Sequence, residues 1–135
     1  MEQNNLQNKF DEFNNTPDST SEFDPQDIEQ NKVMAVLAYF GILVLVPILG
    51  APNSKFARFH ANQGLILLLA CVGLGIALYI LNVVILAISW RLWGLASILN
   101  ILWLAPTVLA IIGIVNAASG KAKELPLIGK YKLLK

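Results

Sequence analysis

The chain has one cysteine, one histidine and, after residue 31, one acidic residue among its 135 positions. Each shortage removes a class of function. Cys71 alone can form no intramolecular disulfide, and its place inside an apolar run reads as a small buried hydrophobe, because low-dielectric surroundings raise a thiol's pKa. One histidine without clustered carboxylates or thiols makes neither a metal-ligand set nor a nucleophile–base pair, so no catalytic residue, cofactor or metal is expected and the protein reads as a non-enzyme. Charge is scarce too: 14% of residues are Asp, Glu, Lys or Arg, where a soluble domain carries about 25%. The N-terminus lacks the basic start and short apolar stretch of a secretory signal, so none is expected there.

What the chain does have is apolar surface, at 56% hydrophobic residues, and a split charge distribution. Residues 1–30 carry eight acids against Lys9, a net of −7, while residues 31–135 carry nine bases against Glu124, a net of +8. Residues 1–31, rich in Asn, Gln, Asp and Glu, read as a disordered acidic tail, with Phe10, Phe13 and Phe23 too scattered to build a core. At the end of the tail Asp24 can cap a helix, Pro25 suits its first position and Asp27 its first turn.

Charges then punctuate the remainder. Uncharged stretches of 22, 32 and 29 residues separate Lys32 from Lys55, Arg58 from Arg91, and Arg91 from Lys121, counting His60 as neutral. A helix needs about 20 apolar residues to span the hydrocarbon core, so each stretch is long enough once. The expected fold is all-α: an integral membrane protein with three transmembrane helices near 33–50, 62–88 and 93–117, within a domain of residues 32–120, and a basic juxtamembrane tail at 121–135. Pro47 would end the first span and Pro106 kink the third. Three crossings put the N-terminus and the Arg91 turn on one side. Lys55, Arg58 and the C-terminal lysines lie on the other, seven bases against Lys32 and Arg91. The bias of Lys and Arg toward the cytoplasm then places the C-terminus inside and the acidic N-terminus outside the cell membrane. Trp90 and Trp93 flank Arg91 in a tight turn at headgroup level.

The stretch NSKFARFHANQG, residues 53–64, holds the histidine. At 100° per residue Phe56, Phe59, His60 and Gln63 share a helix face, with Lys55, Arg58 and Asn62 opposite. Pro52, Asn53 and Ser54 supply a turn and a cap. The segment reads as the amphipathic start of the second helix, with Lys55 and Arg58 reaching the phosphates of an anionic leaflet. His60 is either a proton-sensitive or ligand-binding imidazole beside Gln63, or an interfacial histidine satisfied by a backbone carbonyl, Gln63 or water; the second is the favoured reading. Glu124 is the acid that could approach it.

Between helices, Asn82 and Asn100 each lie nine residues from Arg91, about 13 Å below the turn, and are expected to hydrogen-bond to each other. Gly75 should lie opposite Thr107 by the same count. Gly73 with Ala77 and Gly113 with Ala117 offer small-residue packing faces, within the monomer or between copies. The lysines of the C-terminal tail read as a cationic segment on an anionic bilayer, in preference to a nucleic-acid site.

The runs VLAYFGILVLVPILG, SKFARFHANQGL and NAASGKAKELPLIGK together resemble a Tic-twenty-like family: small bacterial membrane proteins grouped with the twenty-kilodalton component of the chloroplast inner-envelope protein translocon. The likeness spans about residues 33–130, and Lys55, Arg58, His60 and Gln63 stand at its most specific part. It implies a membrane-embedded helical domain and, for the plant relatives, a part in protein import; those relatives are described with four spans, against three here. The expected function is a non-enzymatic membrane protein of the bacterial cytoplasmic membrane. Its expected partners are membrane lipids and other membrane proteins or itself. The alternative is a small transport or translocation component.

Overall fold

The computed structural model describes residues 2–13 and 15–134. The first helix, α1, covers Glu2–Phe13. Asp24 starts the next one: its carboxylate accepts from the Gln26 N–H at 2.9 Å, Pro25 fills the first helical position, and α2 runs over Pro25–Leu37. Among the described residues the order is all-helical apart from one isolated bridge between Asp18 and Lys123.

The acidic segment expected to be disordered is therefore structured. Between α1 and α2 it lies along the C-terminal tail. Thr16 Oγ1 donates to the Glu124 carbonyl at 2.5 Å, the Ser19 N–H to the Ala122 carbonyl at 2.9 Å, and the Ala122 N–H to Thr20 Oγ1 at 2.9 Å. Phe23 meets the rings of Phe56 and Phe59 edge-on, at centroid distances of 6.2 and 5.8 Å. The side chain of Phe10 lies outside the described residues.

The apolar run 33–50 does not cross a membrane as one helix. After Leu37 the backbone tightens into i→i+3 bonds at Ala38, Tyr39 and Phe40, and Gly41 takes φ +62°. Glycine enters that left-handed region without a Cβ clash, so the chain reverses there. A 3₁₀ turn over Gly41–Val44 leads into a short helix, α3, Leu45–Gly50. Entry and exit are tied together: the Asp27 carboxylate accepts from Ser54 Oγ at 2.6 Å and from the Phe56 N–H at 3.1 Å. The run is long enough to span, yet it folds back as a hairpin.

Next comes α4, Lys55–Ile88, capped by Ser54, whose hydroxyl accepts from the Ala57 N–H at 3.0 Å. A 3₁₀ turn at Trp90–Leu92 reverses the chain into α5, Trp93–Leu99. A second 3₁₀ turn, Asn100–Trp103, precedes α6, Leu104–Ala118. Pro106 has no N–H for the Leu102 carbonyl and its ring crowds it, so the expected distortion falls just before the proline. Among the described residues, the stretches long and apolar enough to cross a membrane are two, Lys55–Ile88 and Trp90–Ala118, not the three expected.

Small residues let α2 pack on both α4 and α6. A Cβ on Gly64 would sit 1.9 Å from the Ala38 carbonyl oxygen, and one on Gly113 2.2 Å from the Tyr39 ring. Ala35 and Ala38 are fully buried at this crossing. Further along α4 the surface changes character. Leu69, Val72, Ile76, Tyr79, Ile80 and Ile88 are 51–74% exposed, and Trp93, Ile98, Leu104 and Ile111 continue that apolar surface on the returning helices. A contiguous apolar surface of this extent belongs in lipid.

The tails converge at one end, here called the base, opposite the Trp90–Leu92 turn. There the segment 16–24 bonds to the C-terminal tail and sets Phe23 against Phe56, and Asp27 of α2 bonds to Ser54 and Phe56. An N-terminal segment and a C-terminal tail on opposite sides of a membrane, as three crossings required, are incompatible with these contacts.

Candidate functional site

His60 lies one turn and a half into α4 and is wholly buried. Three aromatic rings surround it edge-on: Phe56, Phe59 and Tyr39, at 4.8, 5.2 and 5.7 Å between centroids. Both ring nitrogens are engaged. Nε2 is 2.9 Å from the Lys121 carbonyl and Nδ1 is 2.6 Å from the Tyr39 hydroxyl. A carbonyl only accepts, so Nε2 carries the proton and donates; Nδ1 is then the acceptor and the tyrosine O–H donates to it. One imidazole thus ties the hairpin, α4 and the exit of α6 together. The one ring lone pair is engaged by Tyr39, and the one ring N–H is given to the Lys121 carbonyl, which leaves no donor for Glu124, the partner raised by the sequence.

Gln63 and Asn62 extend this hub along the C-terminal tail. Gln63 Nε2 donates to the Gly129 carbonyl at 2.9 Å, and its oxygen accepts from the Leu125 N–H at 2.8 Å. Asn62 Nδ2 donates to the Tyr131 carbonyl at 3.0 Å, and its oxygen accepts from the N–H groups of Leu133 and Leu134 at 2.5 and 2.9 Å. The tail is irregular and clamped, with Leu125 buried beneath it. Gly129 is held so closely that a Cβ there would fall 2.3 Å from the Leu125 nitrogen.

Lys55 and Arg58 lie on the other side of α4's first turns. With Phe59, Asn62, Glu124 and Lys132 they line a cavity of about 650 Å³. Next to it, Asp27 caps α4 from a different helix, an anion held against the positive end of a long helix dipole. Partial burial pushes this carboxyl up, but hydrogen bonds from Ser54, the Phe56 N–H, Asn31 and the Lys55 N–H outweigh it and hold the pKa below the ordinary value. Asp18 is also held low, by the Thr20 hydroxyl against partial burial, then by the Thr20 N–H and the charges of Lys123 and Lys121.

Of the residues singled out in the sequence, His60 and Gln63 meet in the hub, and Lys55 and Arg58 flank it. Asn82 and Asn100 are not brought together: Asn82 Nδ2 donates to the Leu78 carbonyl at 2.8 Å and Asn100 Nδ2 to the Ala96 carbonyl at 3.2 Å. Ser97 and Thr107 likewise bond the carbonyls four residues back, each at 2.8 Å. That acceptor is always in reach and needs no second helix, so it competes well in lipid. A Cβ on Gly75 would sit 3.4 Å from the Trp103 ring, one turn from the expected Thr107. Tyr39 and Asn62 were not singled out as sites. A hydroxyl inside an apolar run is the signal that could have found Tyr39, because a buried phenol seeks a partner.

Comparison with known proteins follows the same stretch. Residues 30–132 match the family model described as the magnetosome magnetite crystal formation protein family. The magnetosome protein MmsF of Paramagnetospirillum magneticum is 34% identical over 96 residues, covering 71% of this chain and 79% of the relative. The magnetosome protein MamF of the same organism is 32% identical over 102 residues, covering 76% and 82%. MamF of Magnetospirillum gryphiswaldense is 31% identical over 96 residues, covering 71% and 77%. No solved structure matches the chain. These matches overturn the Tic-twenty-like resemblance: the segment that carried it, with Arg58, His60 and Gln63, lies inside the matched region. The transport and translocation reading loses its support with it.

Proposed function

The chain belongs to the magnetosome magnetite crystal formation protein family, and on that premise we propose that it is a non-enzymatic integral membrane protein. It serves magnetite crystal formation by assembling with other membrane proteins or with copies of itself in the magnetosome membrane. The observation that carries this reading is the hub. His60, Asn62 and Gln63 are the polar groups an active site would draw on, and each is spent on holding chain segments together. Among the described residues no group of three His, Cys, Asp or Glu side chains is placed to hold a metal ion.

Two crossings give a different orientation from three. Lys32, Lys55, Arg58, Lys121, Lys123, Lys130 and Lys132 belong to the base, and Arg91 to the far turn. The preference of Lys and Arg for the cytoplasm then puts the base, with both tails, on the cytoplasmic side. The compartment side receives the turn with Trp90, Arg91 and Trp93, which carries no carboxylate to bind iron. The lysines of the base meet the anionic headgroups of the cytoplasmic leaflet.

Complementation tests this reading. The chain, expressed in Paramagnetospirillum magneticum lacking its own MamF and MmsF, should enter the magnetosome membrane and restore crystal dimensions seen by electron microscopy. Correct insertion with crystals left as in the deletion strain would sink it.

A further inference from the structure

The two halves of the molecule differ in cross-section. At the far end two antiparallel stretches pass one another, α4 and α5. At the base the hairpin adds α2 and α3 beside α4 and α6. With helices roughly 10 Å across, the base covers about twice the area of the far end.

The depth of the hairpin follows from counting. Leu69–Ile88 of α4 is the lipid-exposed stretch beyond the hairpin tip, where Tyr39 and Gly41 share a crevice with Gly64, Leu67 and Cys71. Those 20 residues cover about 30 Å, one hydrocarbon thickness. So the hairpin tip lies at the near headgroup–acyl boundary, on one side of the bilayer only. It meets that boundary with apolar surface: Val33, Phe40, Ile42, Leu45 and Leu49 are 45–76% exposed, without a charge among them, continuous in character with the exposed apolar surface of the spans. Acyl chains and the headgroup boundary of that one leaflet are the occupant this continuity selects.

We propose that the protein is a wedge: the α2–α3 hairpin, set at the headgroup–acyl boundary of one leaflet only, expands that leaflet and favours bilayers convex on the base side. The inference rests on the membrane reading above, though not on the role in crystal formation. With the base cytoplasmic, the favoured curvature is that of a vesicle enclosed within the cell.

The full chain, reconstituted with a fluorescent label into phosphatidylcholine vesicles, tests this without charge attraction. Flotation checks insertion first; a protein that does not float with the vesicles overturns the membrane reading and the wedge together. Inserted protein is then scored by orientation, from protease access to the N-terminal segment. Molecules with the base outward should be enriched roughly twofold or more on highly curved vesicles relative to nearly flat ones, and molecules with the base inward depleted. Equal densities on both sizes, in either orientation, overturn the wedge and leave membrane insertion standing. The paired surface variant Ile42→Gln/Leu49→Gln should reduce the enrichment; if it fails to fold, the wild-type orientation contrast still decides the matter.

Discussion

The Tyr39 hydroxyl and His60 Nδ1, 2.6 Å apart, join the tip of the hairpin to α4 across 21 residues of sequence. The bond is dry, and it fixes the tautomer that lets Nε2 hold the Lys121 carbonyl. Tyr39→Phe should cost about 1–3 kcal/mol, the penalty of stranding a buried acceptor. His60→Ala should cost more, about 2–4 kcal/mol, because it adds a cavity and leaves the carbonyl unpaired. The double variant should lose less than the sum of the two, as contacting residues do. Thermal unfolding of the detergent-solubilised protein reads all three; strictly additive losses would show that the bond carries no coupling.

Asp27 makes the base acid-sensitive. Its pKa is lower folded than unfolded, so its contribution is complete above the ordinary carboxylate range and is lost as pH falls through the depressed value. Melting temperature should drop on acidification from about pH 5 to about pH 3. Asp27→Asn should start lower and show a shallower acid limb, and parallel curves for the two proteins would contradict the assignment.

The clamp on the tail can be opened one bond at a time. Gln63→Leu strands the Leu125 N–H, whereas Asn62→Leu strands those of Leu133 and Leu134. Amide hydrogen exchange should accelerate about tenfold at the residues served by the altered side chain and less elsewhere. Uniform acceleration along the tail would mean that the two side chains act as one unit.

Lys55 and Lys132 face the cavity beside the tail, together with Arg58. Anionic phospholipid retained by the purified protein should fall roughly fivefold for each of Lys55→Gln and Lys132→Gln, the effect of removing one cation near an anionic surface. Native mass spectrometry counts the lipid, and inorganic phosphate added as a competitor separates headgroup recognition from plain phosphate binding. Unchanged retention in the double variant would remove the cavity from the lipid interface.

Local signals were readable wherever a few neighbouring residues decide the outcome. Asp24 with Pro25, and Ser54 ahead of α4, start helices because capping needs only an oxygen and a nearby N–H. The shared face of Phe56, His60 and Gln63 follows from helical spacing, and all three are buried. The first apolar run was misread because 22 uncharged residues fit a crossing and a fold-back equally well. What separates the two is a left-handed Gly41 and a tie between Asp27 and Ser54, and the tie is tertiary. For Asn82 and Asn100, counting from a turn gives depth but not a partner, and each side-chain N–H is taken by the carbonyl four residues back. The acidic segment looked disordered because composition measures what a segment can bury alone, and the partners of Thr16 and Thr20 stand 108 and 102 residues away.

The hub also imposes an order on biosynthesis. His60, Asn62 and Gln63 emerge from the ribosome with α4, while the groups they bond in the C-terminal segment lie 61–72 residues further on. For about half of translation these side chains lack their C-terminal partners. The antiparallel pair can enter the bilayer first, and the base closes over it only when the last stretch of polypeptide has been released.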